Sequence, residues 1–100
     1  MKVAVATSQK SPDSEISEMA GRAPFYLIFN EKGEAIEKIK NPFRMGGGAG
    51  FSVAKMLSDE DVKVVIAGNM GSNMKEALEE RGIKVEIRKG KASEAVKGII

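Results

Sequence analysis

The sequence predicts an α/β domain built on a mixed five-stranded sheet, with helices packed against it. Three observations carry that prediction. Two short runs, Val3-Ala4-Val5-Ala6 and Val62 through Ala67, are apolar and β-branched in the manner of strands buried on both faces. Between them lie two further strand-like segments joined by Asn30-Glu31-Lys32-Gly33, which reads as a hairpin turn. After residue 50 the pattern alternates helical and strand periods, as βαβ units do.

Taken in order, Val3 to Ala6 is a central strand bounded by the polar Thr7-Ser8-Gln9-Lys10. Residues 11–23 lose periodicity and read as a long loop, with one helical turn expected around Glu15 to Met19. Phe25 to Phe29 is the second strand, and Gly33 supplies the positive φ of the turn after it. Ala35 to Lys40 is a more polar third strand whose charge suits an edge, and Asn41-Pro42 ends it because proline cannot donate to the ladder. The first helix spans 50–59, with Phe51, Ala54 and Leu57 on one face and Val53 beside them. Val62 to Ala67 is the fourth strand. Ser72 or Asn73 then caps a second helix carrying Met74, Ala77 and Leu78, with Glu76 placed to complete a capping box from Asn73. Gly82 stops that helix, Ile83, Val85 and Ile87 mark the fifth strand, and Ser93 caps a final helix bearing Ala95, Val96 and Ile99.

Right-handed crossovers place strands 1, 4 and 5 side by side in parallel, and the hairpin extends the other edge. The expected sheet order is 3-2-1-4-5 with strand 2 antiparallel, a ribonuclease-H-like arrangement. The loop after strand 1 and the Gly68 to Asn73 turn after strand 4 then leave the same carboxyl edge, where open α/β sheets seat their ligands.

One hundred residues make one domain, 1–100, with a single core and no second lobe to close over a substrate. No run approaches the roughly eighteen apolar residues of a membrane span, and the first seven residues do not resemble a signal peptide, so the expected location is the cytoplasm and no membrane partner is expected. The 16 basic and 14 acidic residues are interspersed, which argues against a nucleic-acid face. Charged residues at 30%, mostly Lys and Glu, with no cysteine and a single glutamine, are compatible with a thermophilic source.

The absent residue types exclude more chemistry. Without cysteine there is no thiol nucleophile and no thiolate for an iron-sulfur cluster; without histidine there is no imidazole base or nitrogen ligand. Acid-base work falls to carboxylates, lysine or Tyr26, and metal ligation to oxygen or methionine sulfur. The strand ends that hold metal ions in nucleases of this topology are Thr7-Ser8 and Gly68-Asn69 here, with no acid at either, which sets two-metal phosphodiester cleavage aside.

Met45-Gly46-Gly47-Gly48-Ala49-Gly50 leads directly into the first helix. Its glycines remove the Cβ atoms that keep a ligand off the backbone, and the free amides of the helix start favour an anion. The segment is neither a P-loop, since no Gly-Lys-Ser/Thr closes it, nor a dinucleotide fingerprint, since Phe51 stands where the third glycine belongs. A plain flexible connection explains it equally well. Arg22, in Gly21-Arg22-Ala23-Pro24, either reaches an anion at the sheet edge or packs its stem on Tyr26. Asn69 and Asn73 either offer amides to a ligand or form a turn and a cap, the cap being preferred for Asn73. Met45, Met70 and Met74 either gather at the mouth or fill gaps. The candidate binding residues are therefore Arg22, Gly46, Gly47, Gly48, Gly50, Gly68, Asn69, Gly71 and Asn73, with no catalytic and no metal-ligating residue.

Met1 to Ala6, Gly21 to Tyr26, Asn41-Pro42 followed by Gly46 to Gly50, and Gly68-Asn69-Met70-Gly71-Ser72-Asn73 together resemble the dinitrogenase iron-molybdenum cofactor biosynthesis family, the NifX/NafY-like small proteins. The resemblance runs over nearly the whole chain. It implies a ribonuclease-H-like fold and a non-enzymatic binding or carrier role toward the iron-molybdenum cofactor or its iron-sulfur precursor, with a protein partner in cluster assembly. This chain departs from the family pattern in having Ser8 where an acid is common and Ala20 where an aromatic is common, and in lacking His and Cys. A protein-interaction or regulatory module without a small ligand is the alternative, and an enzyme acting on a phosphorylated metabolite lacks a general base.

Overall fold

The computed structural model describes residues 1–43 and 49–99. Its strands are β1 (Lys2–Thr7), β2 (Phe25–Phe29), β3 (Ala35–Lys40), β4 (Val62–Ala67) and β5 (Lys84–Ile87); its helices are α1 (Ala49–Asp59), α2 (Ser72–Glu80) and α3 (Ala92–Ile99). The sheet order is β3-β2-β1-β4-β5. β1 runs antiparallel to β2 and parallel to β4, β5 runs parallel to β4, and β3 runs antiparallel to β2. The expected order and directions are those found.

Alternation along β1 divides the core into two layers. Ala4 and Ala6 point to the side where Val53, Ala54 and Leu57 of α1 and Met74, Ala77 and Leu78 of α2 are packed. Val3 and Val5 point to the opposite side, against Ala92 and Val96 of α3 with Leu27, Phe29 and Ile66. Both faces of β1, β2 and β4 are thus covered, and their near-continuous apolar sequence follows from that. β3 is exposed at every position except the half-buried Ile39, as its charges require of an edge.

Register brings the functional loops together. Thr7 pairs with Phe25, and Phe25 pairs with Lys40, so β3 ends on the same edge as β1. The parallel pairing of β1 with β4 sets the end of β4 there as well. The 18–23 loop, the turn after β4 and the start of α1 consequently share one rim.

Three local expectations are corrected. The helical turn of the long loop is a 3-10 turn at Ala20–Arg22, not at Glu15 to Met19. Residues 14–17 are held extended instead: Thr7 bridges Ile16, Glu15 bridges Lys91, and the Ser17 N–H donates to the Ala6 carbonyl at 2.8 Å. Neither Ser72 nor Asn73 caps α2, whose cap is Gly71 with no side-chain hydrogen bond. Ser93 lies inside α3, and the Ala92 and Ser93 amides donate to the carbonyls of Ser14 and Pro12, so the loop caps that helix through its backbone.

Leu57 retains no exposed surface between α1 and the sheet. Leu57→Ala is expected to cost about 2–5 kcal/mol, read as a lower urea midpoint with an unchanged slope.

Candidate functional site

At the shared rim the surface opens into a hollow of about 380 Å³, lined by Glu18 to Arg22, Gly50, Phe51, Asn69 to Gly71, Asn73 and Met74. A volume of this order falls within the range of small-ligand sites. Of the residues expected to bind, Arg22, Gly50, Asn69, Gly71 and Asn73 line it together. Gly46, Gly47 and Gly48 lie outside the described residues. Gly68 does not line the hollow.

The glycines at the rim divide by what a Cβ would meet. At Gly68 it would stand 3.0 Å from the Glu18 Cα and 3.2 Å from the Ser17 carbonyl, so this glycine lets the long loop lie against the end of β4. The Gly68 N–H donates to that same Ser17 carbonyl at 2.8 Å. At Gly50 a Cβ would stand 2.9 Å from the Met74 Cβ, so the first turns of α1 and α2 touch because a side chain is missing. Gly71 has open space around it and an ordinary φ of −67°. Gly50 and Gly68 therefore serve protein packing, whereas Gly71, which lines the hollow as Gly50 does, meets no neighbour.

Both α1 and α2 begin at this rim, so amides of their first turns, which have no partner inside a helix, are presented together. Each helix start carries the equivalent of roughly half a positive charge. The Arg22 side chain, exposed at the end of the 3-10 turn, adds a full one. Among the described residues Glu18 is the only carboxylate that lines the hollow, and it opposes them. Phe51 and Met19 are 56% and 58% exposed, so Phe51 lies off the buried helical face expected of it and forms an apolar wall of the hollow with Met19, Met70 and Met74. Met45 lies outside the described residues.

The turn that carries Arg22 is tied down on its core side. The buried Tyr26 hydroxyl donates to the Ala20 carbonyl, and the Ala20 N–H donates to the Asn69 carbonyl at 3.3 Å. Asn69 closes its own turn by accepting the Met70 N–H on its side chain at 2.8 Å. Burial pushes the Tyr26 phenol far above its ordinary value of 10, because phenolate has no water there. Sequence reasoning left Tyr26 as a platform for an arginine stem and Asn41 as a strand stop; neither pattern signals the hydrogen bonds these side chains make to the turn.

The donor chemistry limits what this hollow can hold directly. The chain has no His or Cys, so it offers iron neither imidazole nor thiolate, and no group of three or more carboxylates suited to a metal ion occurs among the described residues. Backbone amides, the Arg22 guanidinium and the Asn69 and Asn73 amides suit the outer atoms of an anion instead. Among the described residues no helix is long and apolar enough to cross a membrane.

The family model for "dinitrogenase iron-molybdenum cofactor" matches residues 1–100. The chain belongs to that family. Membership links it to the handling of a metallocluster or cofactor, and the family is a carrier or scaffold group. Among solved structures, a Thermotoga protein titled as NifB and assigned to the DUF35 family is 28% identical, with a TM-score of 0.83 over 98% of this chain and 85% of that one. The apo orange protein of Desulfovibrio gigas shares the fold at 24% identity, with a TM-score of 0.90 over 98% of this chain and 85% of its own. A dinitrogenase-type protein of Methanocaldococcus jannaschii does so at 19% identity and a TM-score of 0.63, over 98% of this chain and 89% of its own. No curated protein matches the chain.

The packing roles separate the glycines experimentally. Gly50→Ala is expected to destabilise the fold by about 1–3 kcal/mol despite alanine's better helix propensity, whereas Gly71→Ala stays within about 1 kcal/mol in the same urea titration. Tyr26 is the only tyrosine, so tyrosinate absorbance reports it alone. A folded-state pKa raised above the unfolded one means that the stability associated with the neutral phenol is full below pH 10 and falls as pH rises past it. The folded protein should show no tyrosinate near pH 10, and the signal should appear only with alkaline unfolding.

Proposed function

We propose that this chain, as one cytoplasmic domain of ribonuclease-H-like type, is a non-enzymatic carrier of an anionic metallocluster of the iron-molybdenum cofactor or iron-sulfur precursor type. The observation that carries the reading is the convergence of the α1 start, the α2 start and Arg22 on one hollow in a chain of this family. The cluster is cargo: its own sulfur and oxygen atoms face amides and a guanidinium, while Met19, Met70, Met74 and Phe51 contact it through polarizable, apolar surface. Gly46, Gly47 and Gly48, which precede α1 in the sequence, are proposed to add further amides.

The exposed Met19 and Phe51 at the mouth favour a second reading, in which the same rim docks a protein partner and no small ligand is held. Anaerobic titration with extracted iron-molybdenum cofactor separates the two. Comigration of metal with the protein is expected, and none at high micromolar cofactor removes the carrier reading. Arg22→Ala is expected to weaken binding about ten- to a hundredfold, the worth of one charge-assisted contact. Glu18→Gln, which removes the opposing carboxylate, should bind as well as the natural chain or better.

A further inference from the structure

Asn41 follows β3 and is 1% exposed, and its side-chain nitrogen is committed to the loop that carries Arg22. Its Nδ2 donates to the Gly21 carbonyl at 3.0 Å and to the Ala23 carbonyl at 2.9 Å, the carbonyls on either side of Arg22. Its Oδ1 accepts the Phe43 N–H at 2.9 Å, and its own N–H donates to the Pro24 carbonyl at 2.9 Å. Both amide hydrogens and the amide oxygen are therefore spent, and two peptide groups are held in fixed planes around a single exposed side chain. Aspartate at this position would offer no donor to either carbonyl. Glutamine would carry the same groups one methylene too far.

Of the two carbonyls, only that of the buried Ala23 must find its donor within the protein. The one side-chain amide nonetheless holds both, bracketing the only arginine that lines the hollow among the described residues, and its oxygen accepts the Phe43 N–H. Gly21 in turn sits against Gly50 at the start of that helix, where a Cβ would stand 3.5 Å from the Gly50 nitrogen. We infer that Asn41 is a positioning residue for the hollow: by fixing the Gly21 and Ala23 peptides it sets where the Arg22 guanidinium stands against the helix amides, and so sets affinity for an anion. This inference rests on the carrier reading.

A double-mutant cycle tests it. Asn41→Asp and Asn41→Gln are each made alone and combined with Arg22→Ala, and affinity for extracted iron-molybdenum cofactor is measured anaerobically. Each change alone is expected to weaken binding about tenfold or more, but by no more than about twofold once Arg22 is gone, because the loss acts through the arginine. Equal losses with and without Arg22 overturn the inference and leave the carrier reading standing. No binding by the natural chain overturns both. Amide exchange in the natural chain gives a readout independent of variant folding: the Arg22 and Ala23 amides should be protected at least about a hundredfold, and unprotected amides there refute a fixed turn.

Discussion

The hollow depends on backbone segments approaching more closely than side chains permit. The start of α1 reaches α2 because Gly50 presents no Cβ to Met74, whose own Cβ would lie 2.9 Å from it. The long loop reaches the end of β4 because Gly68 presents none to Glu18. A helix start aims its amides along its axis, so two helices in contact at their first turns expose two sets of free donors to one volume. Held farther apart by ordinary side chains, the same helices would each face water separately. The positive character of the rim is thus a consequence of packing, with Arg22 the only arginine or lysine that lines it among the described residues.

The sheet supplies the rigidity that this convergence needs. On β1 the side facing α1 and α2 carries Ala4 and Ala6, while the other side carries Val3 and Val5. Small residues on one face leave volume for a large neighbour, and Ala6 is the cross-strand partner of Tyr26. The ring fills the space and its hydroxyl reaches the Ala20 carbonyl at the 3-10 turn. Asn41 reaches the next carbonyl, at Gly21, and the one beyond Arg22, at Ala23. A surface turn is in this way hung from two buried polar groups, each of which would be costly to leave without its partner.

Strands and sheet order were legible because β-branched runs, a hairpin turn and right-handed crossovers leave few arrangements open. What escaped sequence reading depends on contacts between distant residues. The helical period placed Phe51 with Ala54 and Leu57, but those two are buried while Phe51 stands exposed at the hollow. Ser93 has the chemistry of a cap, yet the carbonyls of Pro12 and Ser14 take the first amides of α3. The apparently structureless stretch before Ala20 is fixed by bridges to Thr7 and Lys91, partners that no local pattern announces. For the candidate site, residue types were legible but roles were not: Gly50 and Gly68 look like Gly71 in sequence, and only the neighbours of each distinguish a packing glycine from an open one.

A carrier must release what it holds, and the residue types of this chain bear on how. Thiolate or imidazole ligation of a cluster is broken by ligand substitution at the metal, which requires a competing ligand of similar strength. A rim of amides and one guanidinium holds an anion through charge-assisted hydrogen bonds of about 1.5–3 kcal/mol each, and several together reach micromolar affinity. Such contacts exchange one at a time for water or for donors on another protein. On the proposed reading, the absence of His and Cys is therefore a property suited to transfer: it leaves the metal coordination of the cargo unaltered while the protein grips its periphery. On the same reading, the exposed Met19 and Phe51 that wall the hollow would be both the apolar shield of the cargo and the first surface a recipient meets.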